Sequence, residues 1–303
     1  MIDVTAHLFS GLLSLPDGIF TRQEALTRGV TDEVLTAAVR RGVLVRLCRG
    51  AYTSPGPWTK GEQRRLLARA AGRLYPDAVL AGAAAVAAHG VPLFEVPVEP
   101  LDVARPIKRE ARTAHLRIRP LRHSSTQTAW GPAQELPVAL IQTSMDHGIP
   151  AGVASIDHAL HAHLVTRSEL DAVFDAIEGW PHSSRARCAL QWSDGEAESL
   201  GESVTRVILR GAGWHIVSQV PIADADGVVF ARADLGIAET KVLVEFDGKV
   251  KYTDGGPEAL FREKKREDRI RALGYIIIRV TWADLFAPHR IVAAVAAALA
   301  QAA

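Results

Sequence analysis

The pattern of apolar and polar positions divides this chain into three segments. In the first, Thr21 followed by Glu24 forms a capping-box signature that opens a helix. Gly29 ends that helix. Thr31 caps the next one, whose apolar stripe is Leu35, Ala38 and Val39. Arg40-Arg41-Gly42 places cations and a glycine stop at its C-terminus. Val43 to Leu47 then reads as a strand, Arg49-Gly50 as a turn, and Ala51-Tyr52-Thr53 as the returning strand. The order helix, helix, helix, hairpin predicts a winged helix-turn-helix over residues 1–58, closed by the breaker-rich Ser54-Pro55-Gly56-Pro57.

The second segment, residues 59–194, opens on a basic helix from Lys60 to Tyr75. A helix of small residues follows, from Ala81 to His89. The proline-broken run from Pro92 to Pro120 holds short strands, and residues 151–177 are helical again, so this segment reads as a middle α+β domain. The third segment, residues 195–303, reads as a helix (Glu202–Arg210), a strand (Trp214–Gln219), a hairpin, a charged helix (Glu258–Leu273), a strand (Tyr275–Thr281) and a final helix. Gly274 is a natural stop between the charged helix and the last strand. The expected fold class is an α/β multidomain chain, ending in a mixed sheet of about four strands flanked by helices.

The hairpin carries the chemistry. It runs from Phe230 to Lys249 as two apolar runs joined at Glu239-Thr240. With that centre, Ile237 faces Val242 and Asp234 lies opposite Glu245. Directly opposed Cβ atoms are about 4.5–5.5 Å apart, and like charges there are destabilising. A divalent cation is the simplest way to offset the repulsion. Asp247 shares the sheet face of Glu245, and Lys249 follows on that face if the strand continues. Carboxylates with a lysine at a hairpin end suggest a metal-dependent phosphodiesterase site. The alternative is a solvated face whose acids pair with Arg232, Lys249 and Lys251.

Of the 303 residues, 48% are hydrophobic, ample for packed cores. The net charge of +1 excludes a polycation, so nucleic-acid affinity must come from local basic patches. One patch is Arg40, Arg41, Arg46 and Arg49, continued by Lys60 and Arg64 on the next helix. The helix that would enter a DNA groove begins Thr31-Asp32-Glu33. Those acids suit the helix dipole but repel phosphates, so DNA contact and protein docking both stay open. A second patch joins Lys251, Arg266 and Arg279, but Glu263, Glu267 and Asp268 interleave with it. Cys48 and Cys188 lie far apart, form no zinc spacing and imply a reducing compartment. No basic leader or long apolar run is present, which leads us to expect a cytoplasmic protein without membrane association. His158 and His161 share a helix face, but no fourth-ligand pattern accompanies them.

Several short motifs occur in one order: Gly201-Glu202-Ser203, Arg232-Ala233-Asp234-Leu235, Val244-Glu245-Phe246-Asp247-Gly248, Lys251-Tyr252, Arg266-Glu267-Asp268-Arg269, and Gly274-Tyr275 with Arg279-Val280-Thr281. Through them the last third of the chain resembles the very-short-patch-repair-like endonucleases of the PD-(D/E)XK fold. The first segment resembles the winged helix of AbiEi-type antitoxins, through Gly18-Ile19-Phe20-Thr21 and Arg46 to Tyr52. The helix ending His89-Gly90 resembles the segment that follows it in that family.

The resemblance implies that Glu202, Asp234 and Glu245 occupy the acidic positions of a nuclease core and hold Mg²⁺ or Mn²⁺. Asp247 stands where the usual motif has a lysine, so it would add a ligand or orient the attacking water. Lys249 or Lys251 would stabilise the reacting phosphorus. The implied activity is metal-dependent DNA cleavage, positioned by the N-terminal region. The alternative is a non-enzymatic regulator or antitoxin that binds DNA or a toxin partner. A third reading combines both, with a nuclease active only in phage defence. Read without the resemblance, Ser199 to Glu202 is a capping box and Arg206 is the i+4 partner of Glu202.

Overall fold

The computed structural model describes residues 4–248 and 256–302. Its residues group into two compact units, 1–143 and 144–303.

The first unit begins with α1 (Val4–Leu13), a single 3-10 turn, β1 (Phe20–Thr21), α2 (Arg22–Thr27) and α3 (Asp32–Arg40). The hairpin β2 (Val45–Cys48) and β3 (Ala51–Thr53) follows, and the three strands form an antiparallel sheet in the order β1-β3-β2. Helices and hairpin fit the expected winged helix. The Thr21 hydroxyl accepts the Glu24 N–H at 3.2 Å, and the Glu24 carboxylate accepts the Thr21 N–H at 2.7 Å, so the capping box forms as read. Phe9, Leu12, Phe20, Leu35, Leu44 and Tyr52 fill the core. Phe20 stacks against both Phe9 and Tyr52, with centroids 6.1 and 5.6 Å apart. The two-residue β1 went unread in the sequence because it is too short to show a period. It exists because Phe20 pairs with Tyr52 of β3.

The unit continues with α4 (Lys60–Leu74), β4 (Val79–Leu80), α5 (Gly82–Ala88), β5 (Leu101–Arg105), β6 (Ala111–Arg112), β7 (Leu116–Pro120), β8 (Ser125–Thr128) and β9 (Gly131–Gln134). These strands make a six-stranded mixed sheet in the order β6-β7-β5-β4-β9-β8. The expected small-residue helix is α5, buried along almost its whole length, because alanines and glycine let a helix approach a sheet closely. The division between the units falls inside α6 (Leu136–His147).

The second unit holds α7 (Ile149–His161), α8 (Arg167–Asp175), α9 (Ser183–Trp192) and α10 (Leu200–Gly211). Then come β10 (Ile216–Ala223), β11 (Val229–Ile237), β12 (Val242–Asp247), α11 (Gly256–Ala272), β13 (Ile276–Thr281), α12 (Trp282–Leu285) and α13 (Pro288–Ala302). The sheet order is β10-β11-β12-β13, antiparallel except for the parallel pair β12 and β13. A parallel pair needs a crossover, and α11 supplies it, burying Ile270 against Ile222, Ala233, Leu243 and Ile277.

Helices α7 to α9 share this unit with the sheet. Arg206 of α10 is fully buried and pairs with Asp157 of α7 and with Asp194 just after α9. Burial pushes the Asp157 carboxyl up to about 6, against the pull of Arg206. α10 lies directly on β12: a Cβ at Gly201 would fall 2.1 Å from the Phe246 ring. Among the described residues, no helix is long and apolar enough to cross a membrane.

Candidate functional site

Two places collect the residues singled out from the sequence, one in each unit. In the first unit, Thr31 caps α3 and its hydroxyl faces the Val34 N–H. Asp32 does not face solvent alone. Arg22, at the start of α2, donates Nε to Asp32 Oδ1 at 2.7 Å and pairs through Nη2 with Oδ2. That hydrogen-bonded pair holds the Asp32 carboxyl below its ordinary range. One of the two acids at the head of the helix is thus matched by a cation from its neighbour, and Glu33 stays exposed.

Arg40, Arg41, Arg46, Arg49 and Lys60 are all exposed. Arg64 is placed otherwise than expected. It is only 6% exposed, and its guanidinium donates to the Val96 and Pro97 carbonyls at 2.9 and 3.0 Å. It braces the chain inside the unit and presents no charge to a ligand.

In the second unit, Leu235 pairs with Val244 and Gly236 with Leu243, the register expected for the hairpin. Glu239 takes φ +62° at the turn. Asp234 and Glu245 therefore face each other one step further on, where the ladder ends. Asp234 Oδ2 accepts the Phe246 N–H at 2.8 Å and closes the strand end. The Glu245 side chain is 13% exposed and accepts from Arg266 of α11 at 3.0 Å. On its other side Glu245 lies in register with Arg279 of β13.

Arg266 also binds Glu263 at 2.7 Å. Those hydrogen bonds, with the charge of Glu245, hold its guanidinium above its ordinary range. The crossover helix thereby supplies Glu245 with a cation. Other arginines of this region are paired as well: Arg279 with Glu267 at 2.9 Å, Arg271 with Glu267 at 2.7 Å, and Arg269 with Asp224 at 2.7 Å.

Glu202 is 7% exposed. It accepts from the Ser199 hydroxyl at 2.7 Å, the Glu198 N–H at 3.0 Å and the Gln219 side-chain amide at 3.1 Å. Ser199 caps α10 as expected, but the return bond goes to Glu198 rather than to Ser199. Arg206, the expected i+4 partner, is taken up by Asp157 and Asp194.

Gln219 was not read from the sequence. It holds φ +53° inside β10, between the pairs Ser218 with Leu235 and Val220 with Ala233. It thus occupies the ladder position facing Asp234 while its amide reaches Glu202. A non-glycine residue there is strained, and such strain persists only where surrounding contacts impose it. No sequence signal marks a backbone angle at a glutamine.

Asp247 ends β12 in register with Thr281. Lys249 and Lys251 lie outside the described residues. Among the described residues, no three acidic, histidine or cysteine side chains gather as metal ligands. His161 donates to the Gly195 carbonyl at 3.0 Å, which gives that ring a structural partner. Asp234 and Glu245 carry hard oxygen donors of the kind Mg²⁺ takes, and each already accepts a hydrogen bond, from the Phe246 N–H and from Arg266. Glu202 already serves three donors within the protein.

Residues 13–55 match a family described as "Transcriptional regulator, AbiEi antitoxin". That segment runs from the end of α1 past the wing and stops before α4. Two uncharacterized proteins of Mycobacterium tuberculosis, from strains CDC 1551 / Oshkosh and H37Rv, are each 26% identical over 263 residues. The alignment covers 84% of this chain and 92% of each relative.

Proposed function

We propose that this protein is a DNA-binding regulator whose winged helix engages duplex DNA through Arg40, Arg41, Arg46, Arg49 and Lys60. The observation that carries this reading is the Arg22–Asp32 pair. It answers Asp32, one of the two acids at the head of α3, while Arg40, Arg41, Arg46 and Arg49 stand exposed at the helix end and wing against the remaining Glu33. The match of residues 13–55 to a regulator family supports it. The antitoxin half of that description brings a toxin protein as a second class of partner. The test is binding of the full chain to the duplex upstream of its own gene, followed over a range of salt. Arg40→Ala/Arg41→Ala should weaken binding and reduce the salt slope by about 2, since each phosphate contact contributes about 0.9. An unchanged slope and affinity would remove the winged helix from the interface.

A second reading is supported by the hairpin register, which extended by one step carries Asp234 opposite Glu245, and by the bond of Glu202 to Gln219 of the neighbouring strand. Here the second unit is a PD-(D/E)XK-like deoxyribonuclease. Asp234 and Glu245 would hold Mg²⁺ or Mn²⁺ with Glu202, and Asp247 would add a ligand or orient the attacking water. A bound ion lowers the pKa of water and stabilises developing negative charge. Arg266 fixes Glu245 in place and competes for the same oxygen. Cleavage of supercoiled, linear, mismatched and single-stranded DNA by the wild type, lost in Asp234→Ala/Glu245→Ala, is the expected result. Equal cleavage by that variant would sink this reading.

A further inference from the structure

A further group of exposed cations lies on the six-stranded sheet of the first unit. Between β5 and β7 the chain runs through an exposed arm that carries Lys108, Arg109 and Arg112. Its only strand, β6, has two residues and forms one edge of the six-stranded sheet.

Every acid around the arm is already engaged. Asp77 takes Arg105 at 2.8 Å, and Glu99 takes His115 at 2.6 Å. Asp102, almost fully buried, draws Arg119 inward at 2.9 Å, and Glu110 takes Arg117 at 3.0 Å. The side chains of Lys108, Arg109 and Arg112 have no hydrogen bond or ion pair with any described residue. Arg112 also lies in register with Arg117, a cross-strand pair of like charge. On α11, by comparison, acids are interleaved with the cations, and Arg266 and Arg271 pair with Glu263 and Glu267. Three uncompensated cations within five residues attract a polyanion, and one on an edge strand also discourages sheet-to-sheet association.

We propose that this arm is a second, sequence-independent contact for the phosphate backbone of duplex DNA, added to the winged helix. This rests on the DNA-binding reading above. Phosphate contacts of this kind set orientation and affinity, while the winged helix reads sequence.

The test is the salt dependence of binding by the full chain to a labelled duplex of arbitrary sequence, measured by fluorescence anisotropy. Lys108→Gln/Arg109→Gln/Arg112→Gln should lower the slope of log affinity against log salt by about 2–3, at about 0.9 per lost contact. The charge-keeping variant Arg109→Lys/Arg112→Lys should keep the wild-type slope. Unchanged thermal unfolding in both variants confirms that the sheet is intact. Wild-type binding with no change of slope in the glutamine variant overturns the arm and leaves the winged-helix reading standing. The same holds if that variant merely self-associates, because the cations then only guard the edge. It holds too if the variant loses binding to an acidic protein but not to DNA. No binding of any duplex by the wild type overturns both readings.

Discussion

Two single residues hold the second unit's carboxylate region in shape, and each makes a separate prediction. Gln219 sits at φ +53° with its amide on Glu202. Left-handed backbone costs a side-chain-bearing residue about 1–2 kcal/mol, more for a β-branched one. Gln219→Gly and Gln219→Val both lose the bond to Glu202, but only glycine relieves the backbone. In urea unfolding, the valine variant should be less stable than the glycine variant by at least about 1 kcal/mol. Equal stability would mean that the residue does not hold this backbone angle in solution. Arg206 is the other residue. Arg206→Met leaves Asp157 buried without its guanidinium partner, a loss of about 3–5 kcal/mol. Burial already lifts Asp157 to about 6, above an ordinary aspartate, and losing Arg206 lifts it further. A folded-state value raised in this way favours the fold fully at acidic pH, and that stabilisation is lost as pH rises through the raised value. The deficit of Arg206→Met should therefore be larger at about pH 8 than at about pH 5. A deficit independent of pH would place the loss in packing rather than in the stranded carboxylate.

At the scale of elements, α3 is defined as much by its neighbour as by its own sequence. Arg22 of α2 neutralises Asp32, so Arg22→Ala should weaken DNA binding by about 2–5-fold, the size of an exposed charge interaction. Adding Asp32→Asn should restore most of that loss. If it does not, Arg22 contacts DNA itself. How much of this was legible follows from sequence distance. The Thr21–Glu24 and Ser199–Glu202 caps were readable because their bonds span three residues. The register of β11 on β12 was readable because a one-residue slip would turn every apolar side chain to the wrong face. The order of the six-stranded sheet was not, because it rests on pairings such as Leu80 with Ala133. Arg206 was misread for the same reason. Its partner Asp157 lies 49 residues away, whereas Glu202 stood in the local i+4 position. Arg64 looked like a surface cation because its carbonyl partners are 32 and 33 residues distant. The opposed acids on β11 and β12 were found, but Arg266, which answers Glu245, comes from the crossover helix, 21 residues on.

At the scale of the whole molecule, a net charge of +1 gives little long-range attraction to DNA, so affinity must be concentrated where local acids are already spent. The β5–β7 arm meets that condition, and the winged-helix face does so at Asp32, which Arg22 answers; both belong to the first unit, while the opposed carboxylates belong to the second. Each unit has its own buried cluster, around Phe20 in one and around Ile270 in the other. That organisation predicts unfolding of the intact chain in more than one step, with a calorimetric enthalpy larger than the van't Hoff value. Two substitutions assign the steps. Thr21→Ala removes the α2 cap and should cost about 1 kcal/mol, lowering only the transition of the first unit. Arg206→Met should lower only the other. DNA added before the scan should raise the step that Thr21→Ala shifts and leave the step that Arg206→Met shifts where it was, because a ligand stabilises only the fold that binds it. A single transition moved equally by both substitutions would show one cooperative block. DNA raising the Arg206-sensitive step instead would transfer the interface to the carboxylate unit and favour the nuclease reading.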